Sequence, residues 1–362
     1  MPRERQDASG DIANLCGIAG ENYNEDVDES PRNAALIWGL KVRGGTVVEY
    51  RPFRNTDPPR LATVWNETFT QRGASRLSNN SLLERYVFSK TIFDRQGLIV
   101  AEVDGQCAGF VHAAMSQYPF NAQPVGVTCL LAVRPAYRRR GIGAELLRRG
   151  EQYLRERGAE LLVAGGHWPN NPFYMGLYGG CDSPGFLCSD ALAEPFLLKQ
   201  GYRVDQRIVV LARLLDQPMK MFDARFLPLR QRFDVGFGSP RRLLSWWHEC
   251  VHGSVDPLQF VLTDRTNKTW AARTLVWEME PFASRWQRAP VGIFDFEVNL
   301  PYRRQSVGRY FLSLIMKYIQ EQFFTLVELQ LEESNHMGLE FLRSLDFRQV
   351  DTGLVYVRKQ EP

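Results

Sequence analysis

The stretch VGVTCLLAVRPAYRRRGIGAELLRRGEQYLRERG, residues 125–158, reads as a buried strand, a short basic turn and a long amphipathic helix. Residues 125–133 are almost wholly apolar and rich in β-branched side chains, which suits a strand covered on both faces. Arg134-Pro135 ends it. Beyond the turn, Ile142, Leu146, Leu147, Gly150, Tyr153 and Leu154 return at helical spacing, Glu145, Arg148, Arg149, Glu151 and Arg155 fill the other side, and Gly158 is the stop. The turn itself, Arg138-Arg139-Arg140-Gly141-Ile142-Gly143, sets two glycines and three cations at the start of a helix whose first amides have no partner inside it. Those are the attributes of a pyrophosphate site. A lone Gly-x-Gly also occurs in ordinary strand-to-helix connections with a solvated basic face.

Taken as a unit, the stretch resembles the acyl-CoA-binding motif of the GNAT acetyltransferase superfamily, Arg/Gln-x-x-Gly-x-Gly/Ala behind a Val-x-Pro-x-Tyr/Phe-Arg lead-in. Val133, Pro135, Tyr137, Arg138, Gly141 and Gly143 stand at the motif's positions. The glycine pattern of dinucleotide-binding proteins differs in spacing and lacks the basic lead-in. The resemblance implies an α/β (α+β) fold with a mixed, mostly antiparallel sheet flanked by helices, and acetyl-CoA or another acyl-CoA as co-substrate. It further implies that Leu131, Ala132 and Val133 pair with the pantetheine arm, and that Arg138, Arg139, Arg140, Gly141, Ile142, Gly143 and Ala144 hold the pyrophosphate.

The remaining elements read in the order this fold implies. A strand is expected over 47–53, helices over 58–69 and 82–90, and a hairpin over 98–103 and 107–114 turning at Asp104-Gly105. After the central unit come a strand over 160–164, a helix over 191–200 and a last strand ending near Leu214. Residues 1–45 read as a loosely held leader with a short helix over 33–41. Residues 170–190, NNPFYMGLYGGCDSPGFLCSD, form a long Gly- and aromatic-rich loop that fits either an acceptor-binding segment or a self-packed surface loop.

From residue 217 the chain begins again. LPYRRQSVGRYFLSL, from Leu300, repeats AYRRRGIGAELL, with Tyr302 on Tyr137, Arg303 on Arg138 and Gly308 on Gly143, 165 residues apart. A matching strand over 291–298 precedes it, and SNHMGLEFLRSLDF resembles the family's closing helix. Two tandem GNAT folds follow, over 46–216 and 217–362. In the second, Ser306 replaces the first motif glycine and places a Cβ where phosphates would approach, so this copy is expected to be structural or to shape the acceptor site rather than bind the donor.

The chemistry implied is transfer of an acyl group to an amine. His167, just past the 160–164 strand, is the candidate base, alternatively a histidine satisfied by packing. The family's usual acid, a Tyr before the closing Gly-Phe pair, is Leu197 here and Leu342 in the second copy, so Tyr174 or Tyr178 of the long loop, or water, is left to protonate the thiolate. Asp295 and Glu297 lie on the second copy's matching strand. His248-Glu249-Cys250-Val251-His252 satisfies H-E-x-x-H, a zinc-site pattern, but the repeat places it on an ordinary early helix and no metal is expected.

The whole therefore points to an N-acetyltransferase acting on a small-molecule amine. The alternatives are an acyl-CoA-binding module without turnover and an enzyme acting on a protein amine. A net charge of +3 argues for neither nucleic acid nor membrane as partner. Six cysteines without a C-x-x-C pair, and no signal-peptide or transmembrane pattern, point to a cytoplasmic monomer or homodimer.

Overall fold

Strand, turn and helix lie where the central stretch places them in the computed structural model, which describes residues 38–41, 47–217, 223–240 and 245–359. The first half runs β1 (Trp38–Lys41), β2 (Val47–Pro52), α1 (Pro58–Thr68), α2 (Ser81–Leu83) continuing as a wider turn over Glu84–Phe88, β3 (Leu98–Val103), β4 (Gln106–Met115), β5 (Val125–Val133), α3 (Ile142–Glu156), β6 (Leu161–Ala164), β7 (Phe186–Leu187), α4 (Ala193–Lys199) and β8 (Arg203–Leu214). The second runs α5 (Phe226–Arg232), β9 (Phe233–Gly238), α6 (Trp246–His252), β10 (Leu258–Asp264), β11 (Trp270–Glu278), α7 (Glu280–Trp286), β12 (Pro290–Val298), α8 (Val307–Glu321), β13 (Leu326–Glu332), α9 (His336–Arg343) and β14 (Arg348–Lys359).

Local chemistry explains these elements. Asp104 and Gly105 both take positive φ, 49° and 74°, which matches the twist of the β3–β4 hairpin. The end of α3 and the turn behind it press onto β5 so closely that a Cβ at Gly126 would lie 2.9 Å from Leu154 and 2.8 Å from Ala159. Only glycine fits there. One expectation fails: Trp38–Lys41 is a strand paired antiparallel with β2, not part of a helix, its backbone being satisfied along the edge that β2 offers. Residues 33–37, like the rest of the expected leader apart from 38–41, lie outside the described residues.

Among the described residues the strands form one sheet in the order β1-β2-β3-β4-β5-β6-β14-β8-β13-β12-β11-β10-β9, with β7 beside β14. Only β5–β6 and β12–β13 are parallel. The two mixed sheets are thus joined into one, and the last strand of each half lies against the other: β14 pairs with β6 and β8 with β13, while β8 and β14 pair with each other at the centre. This exchange covers the edges that β6 and β13 would otherwise expose.

The cores follow the exchange. One joins Trp65, Phe110, Leu130 and Leu154 to Trp247, Trp277, Phe282 and Phe294 of the second half; the other joins Phe311, Leu312 and Ile315 to Val209 and Leu211 of β8. A third core, around Tyr50, Ile99, Val111 and Leu146, lies wholly within the first half. Burying each large apolar side chain contributes about 2 kcal/mol, so the two shared cores tie the halves together. No helix among the described residues is long and apolar enough to cross a membrane.

Candidate active site

The site is built where two parallel strands part. β5 and β6 stay in register over four residues, from Val125 and Leu161 to Thr128 and Ala164. From Leu130 onward β5 keeps β4 as its partner, with Leu130 opposite His112, Leu131 opposite Val111 and Val133 opposite Gly109. Cys129 is skipped in that register, a bulge that swings the strand away from β6. The other edge of Leu131, Ala132 and Val133 is then open to an extended ligand that pairs as a strand.

The turn follows directly. Arg139 and Gly141 adopt left-handed φ values of 62° and 84°, and a Cβ at Gly141 would meet nothing within 4 Å. Gly143 sits beneath the Phe196 ring of α4, 3.6 Å from where its Cβ would stand. Ile142, Gly143 and Ala144 open α3 behind Gly141, which offers no side-chain cap, so the first-turn amides face outward.

The three guanidinium groups divide their tasks. Arg138 Nε donates to the Val133 carbonyl at 2.9 Å, and Arg140 Nη2 donates to the Ala136 carbonyl at 3.0 Å while lying over the Tyr137 ring. Arg139 has no partner among the described residues and is exposed. An open amide-lined turn with one uncommitted guanidinium fits a diphosphate; Arg138 and Arg140 brace the turn instead of reaching outward.

His167 lies two residues beyond Gly165, whose N–H donates to the Thr128 carbonyl where the strands part. Its Nδ1 donates to the Ser183 carbonyl at 2.8 Å, which leaves Nε2 as the basic nitrogen of a half-buried ring. The two tyrosines are placed otherwise. Tyr174 is buried, with its hydroxyl 3.0 Å from His112 Nδ1 and its ring stacked on Trp65. Tyr178 is buried too, and its hydroxyl accepts the Leu187 N–H at 3.1 Å. Burial pushes both phenols above their ordinary range, Tyr174 well above it, which makes them poorer proton donors than expected.

The long loop is likewise not an open acceptor lid. Phe173, Tyr174, Met175, Leu177, Tyr178, Cys181 and Phe186 are all buried, because an aromatic-rich segment gains more by filling the core than by facing water. The loop also crosses to the second half. Cys181 N–H donates to Glu328 Oε1 at 2.8 Å, Trp277 Nε1 donates to the Cys181 carbonyl at 3.0 Å, and Arg72 pairs with Glu328 Oε2 at 2.7 Å.

Two features were hidden from the sequence. His112, a lone histidine inside an apolar strand, is fully buried beside the bulge, and desolvation lowers its pKa to about 3. His248 of the H-E-x-x-H pattern is spent on a carboxylate: its Nε2 lies 2.9 Å from Asp295 Oδ2, across the bulge of β12. Burial raises the Asp295 carboxyl, but the His248 hydrogen bond and the nearby Arg273 outweigh it and leave it below the usual carboxylate range. Glu249 points out to the surface, and no three His, Cys, Asp or Glu side chains among the described residues come together to hold a metal ion.

With this geometry in hand, comparison with known proteins gives the class. The acetyltransferase (GNAT) family profile matches residues 60–178, about a third of the chain. A curated relative, an uncharacterized N-acetyltransferase of Archaeoglobus fulgidus, is 36% identical over 85 residues, covering 22% of this chain and 58% of its own length. Among solved structures, a tandem GNAT protein from the clavulanic acid biosynthesis pathway superposes with a TM-score of 0.61 at 15% identity, over 87% of this chain and 99% of that one. The GCN5-related N-acetyltransferase of Sphaerobacter thermophilus gives 0.59 at 15% identity, over 87% and 96%. The glucosamine N-acetyltransferase region of a fungal multi-domain β-N-acetylglucosaminidase gives 0.66 at 16%, over 88% of this chain and 39% of the fungal chain. The chain thus spans little more than half of the curated relative and well under half of the fungal protein.

Residues 60–178 thus match the GNAT acetyltransferase family, and the chain as a whole has the fold of a tandem GNAT protein.

Proposed function

We propose that the chain transfers an acetyl or other short acyl group from acyl-CoA to the amine of a small molecule, directly within a ternary complex. Residues 46–216 bind the donor; residues 217–362 complete the acceptor side. The observation that carries this reading is the parting of β5 from β6 immediately above the open left-handed turn at Gly141. The strand edge at Leu131–Val133 takes the pantetheine arm, and the α3 amides with Arg139 take the diphosphate.

Chemistry then needs little more than position. His167 Nε2 takes a proton from the acceptor ammonium, directly or through one water, and the free amine attacks the acyl carbon. A strand N–H meets the oxygen on which charge develops. The intermediate collapses with breakage of the C–S bond, and the extra proton on its nitrogen passes through water to the departing thiolate, since Leu197 is a buried aliphatic side chain and both loop phenols are committed elsewhere.

Leu197 also favours a second reading, an acyl-CoA-binding protein without turnover. The test is release of free CoA from acetyl-CoA, followed with a thiol reagent, against a panel of small amines and a lysine-containing peptide. Steady release with a small amine supports the proposal. Tight binding of acetyl-CoA with no release from any acceptor replaces transfer with binding, and preference for the peptide moves the acceptor to a protein amine.

A further inference from the structure

Ser81-Leu82-Leu83 and Ser245-Trp246-Trp247 stand 164 residues apart, so the helical segment 81–88 and α6 are the same element of the two copies. They meet along a seam. Arg85 Nε donates to the Ser254 carbonyl at 3.0 Å, and Lys90 Nζ donates to the carbonyls of Val251 and Pro172, each at 3.1 Å. A cavity of about 510 Å³ opens beside these contacts, lined by Arg85, Lys90, Thr91, Trp246, Glu249 and Cys250 among others. That volume is in the range of small-molecule sites.

The charges in it are unusual. Arg85 and Glu249 occupy the same position of the two copies, with opposite sign. Both face the cavity, yet they form no ion pair with each other or with any other described residue. Lys90 also lines the wall, but its ammonium is turned to the carbonyls of Val251 and Pro172. Trp246, 60% exposed, presents an apolar face with no described partner beyond Trp247.

We propose that this seam cavity binds a small zwitterion of the α-amino-acid type with an apolar or aromatic side chain. Its carboxylate meets Arg85, its ammonium meets Glu249, and its side chain packs on Trp246. A simple anion would be repelled by Glu249 and a simple cation by Arg85; a zwitterion satisfies both. The site needs no acyl transfer, and its test is independent of that reaction.

The full-length protein is titrated by calorimetry with L-phenylalanine, phenylacetate and phenethylamine. L-Phenylalanine is expected to bind at least about tenfold more tightly than either single ion. Arg85 and Glu249 are exposed, so their variants should melt as the parent does. Glu249→Gln should bring L-phenylalanine down to the level of phenylacetate, and Arg85→Gln should weaken it at least about tenfold, both without changing acetyl-CoA affinity. Absence of L-phenylalanine binding at about 10 mM, phenylacetate binding as tightly as the zwitterion, or equal binding by parent and variants overturns the proposal.

Discussion

The two turns that open α3 and α8 share a backbone and differ in what they leave open. Arg139 and Arg304 both adopt φ 62°, and Gly141 at 84° corresponds to Ser306 at 62°. Arg138 Nε holds the Val133 carbonyl at 2.9 Å and Arg303 Nε holds Val298 at 2.8 Å; Arg140 and Gln305 make matching bonds to Ala136 and Pro301. Even the strands part alike, after Thr128 and Ala164 in one copy and after Ile293 and Leu329 in the other. Left-handed backbone at a serine costs about 1–2 kcal/mol, so the second turn is kept against a local penalty. A fold can thus hold the same turn geometry whether a glycine or a side chain stands at the left-handed position.

Variants can break this comparison. Gly141→Glu puts a Cβ and a carboxylate into the open turn, and calorimetry should show acetyl-CoA affinity falling about 10³-fold, while Ser306→Glu leaves it unchanged. The reverse outcome would assign the donor site to the second copy.

Next in size is the tie between halves. Glu328 is fully buried and its carboxyl is raised by desolvation, with Arg72 opposing that rise. Arg72→Met should cost about 3 kcal/mol at neutral pH by leaving that carboxylate unpaired. Because the folded pKa lies above the ordinary 4.5 and rises further in the variant, protonation favours its folded state. The deficit should shrink as pH falls through that raised value, and urea unfolding at pH 7 and pH 5 reads it directly.

A smaller effect sharpens the roles within the first copy. His167→Gln should lower kcat about 10²-fold with acetyl-CoA affinity unchanged, the signature of a base rather than a binding group. The smallest is Ser306→Gly. Relief of the left-handed serine should stabilise the protein by about 1 kcal/mol without adding a second equivalent of acetyl-CoA in a titration.

Much of the proposed donor side was legible because it is local. The strand over 125–133, the glycine spacing of the turn and the helix behind it depend on residues close in sequence, and each forms where the pattern places it. The duplication was equally visible, since Tyr302, Arg303 and Gly308 repeat Tyr137, Arg138 and Gly143 at a fixed interval. The acceptor side was not. Tyr174 and Tyr178 look like free phenols in a Gly-rich loop, but their burial depends on Trp65, Phe69 and His112, which lie far away in the chain.

The residues by themselves determined the class of fold, the number of copies and which turn stays open, because hydrophobic period, glycine placement and repeat spacing act over short stretches. Only the tertiary structure decided that β8 and β14 exchange partners, that His248 belongs to Asp295, and that Arg85 and Glu249 face one cavity. Each of those pairings joins segments well separated in the chain. Such contacts are chosen by which edges and charges remain unsatisfied once the local elements have formed.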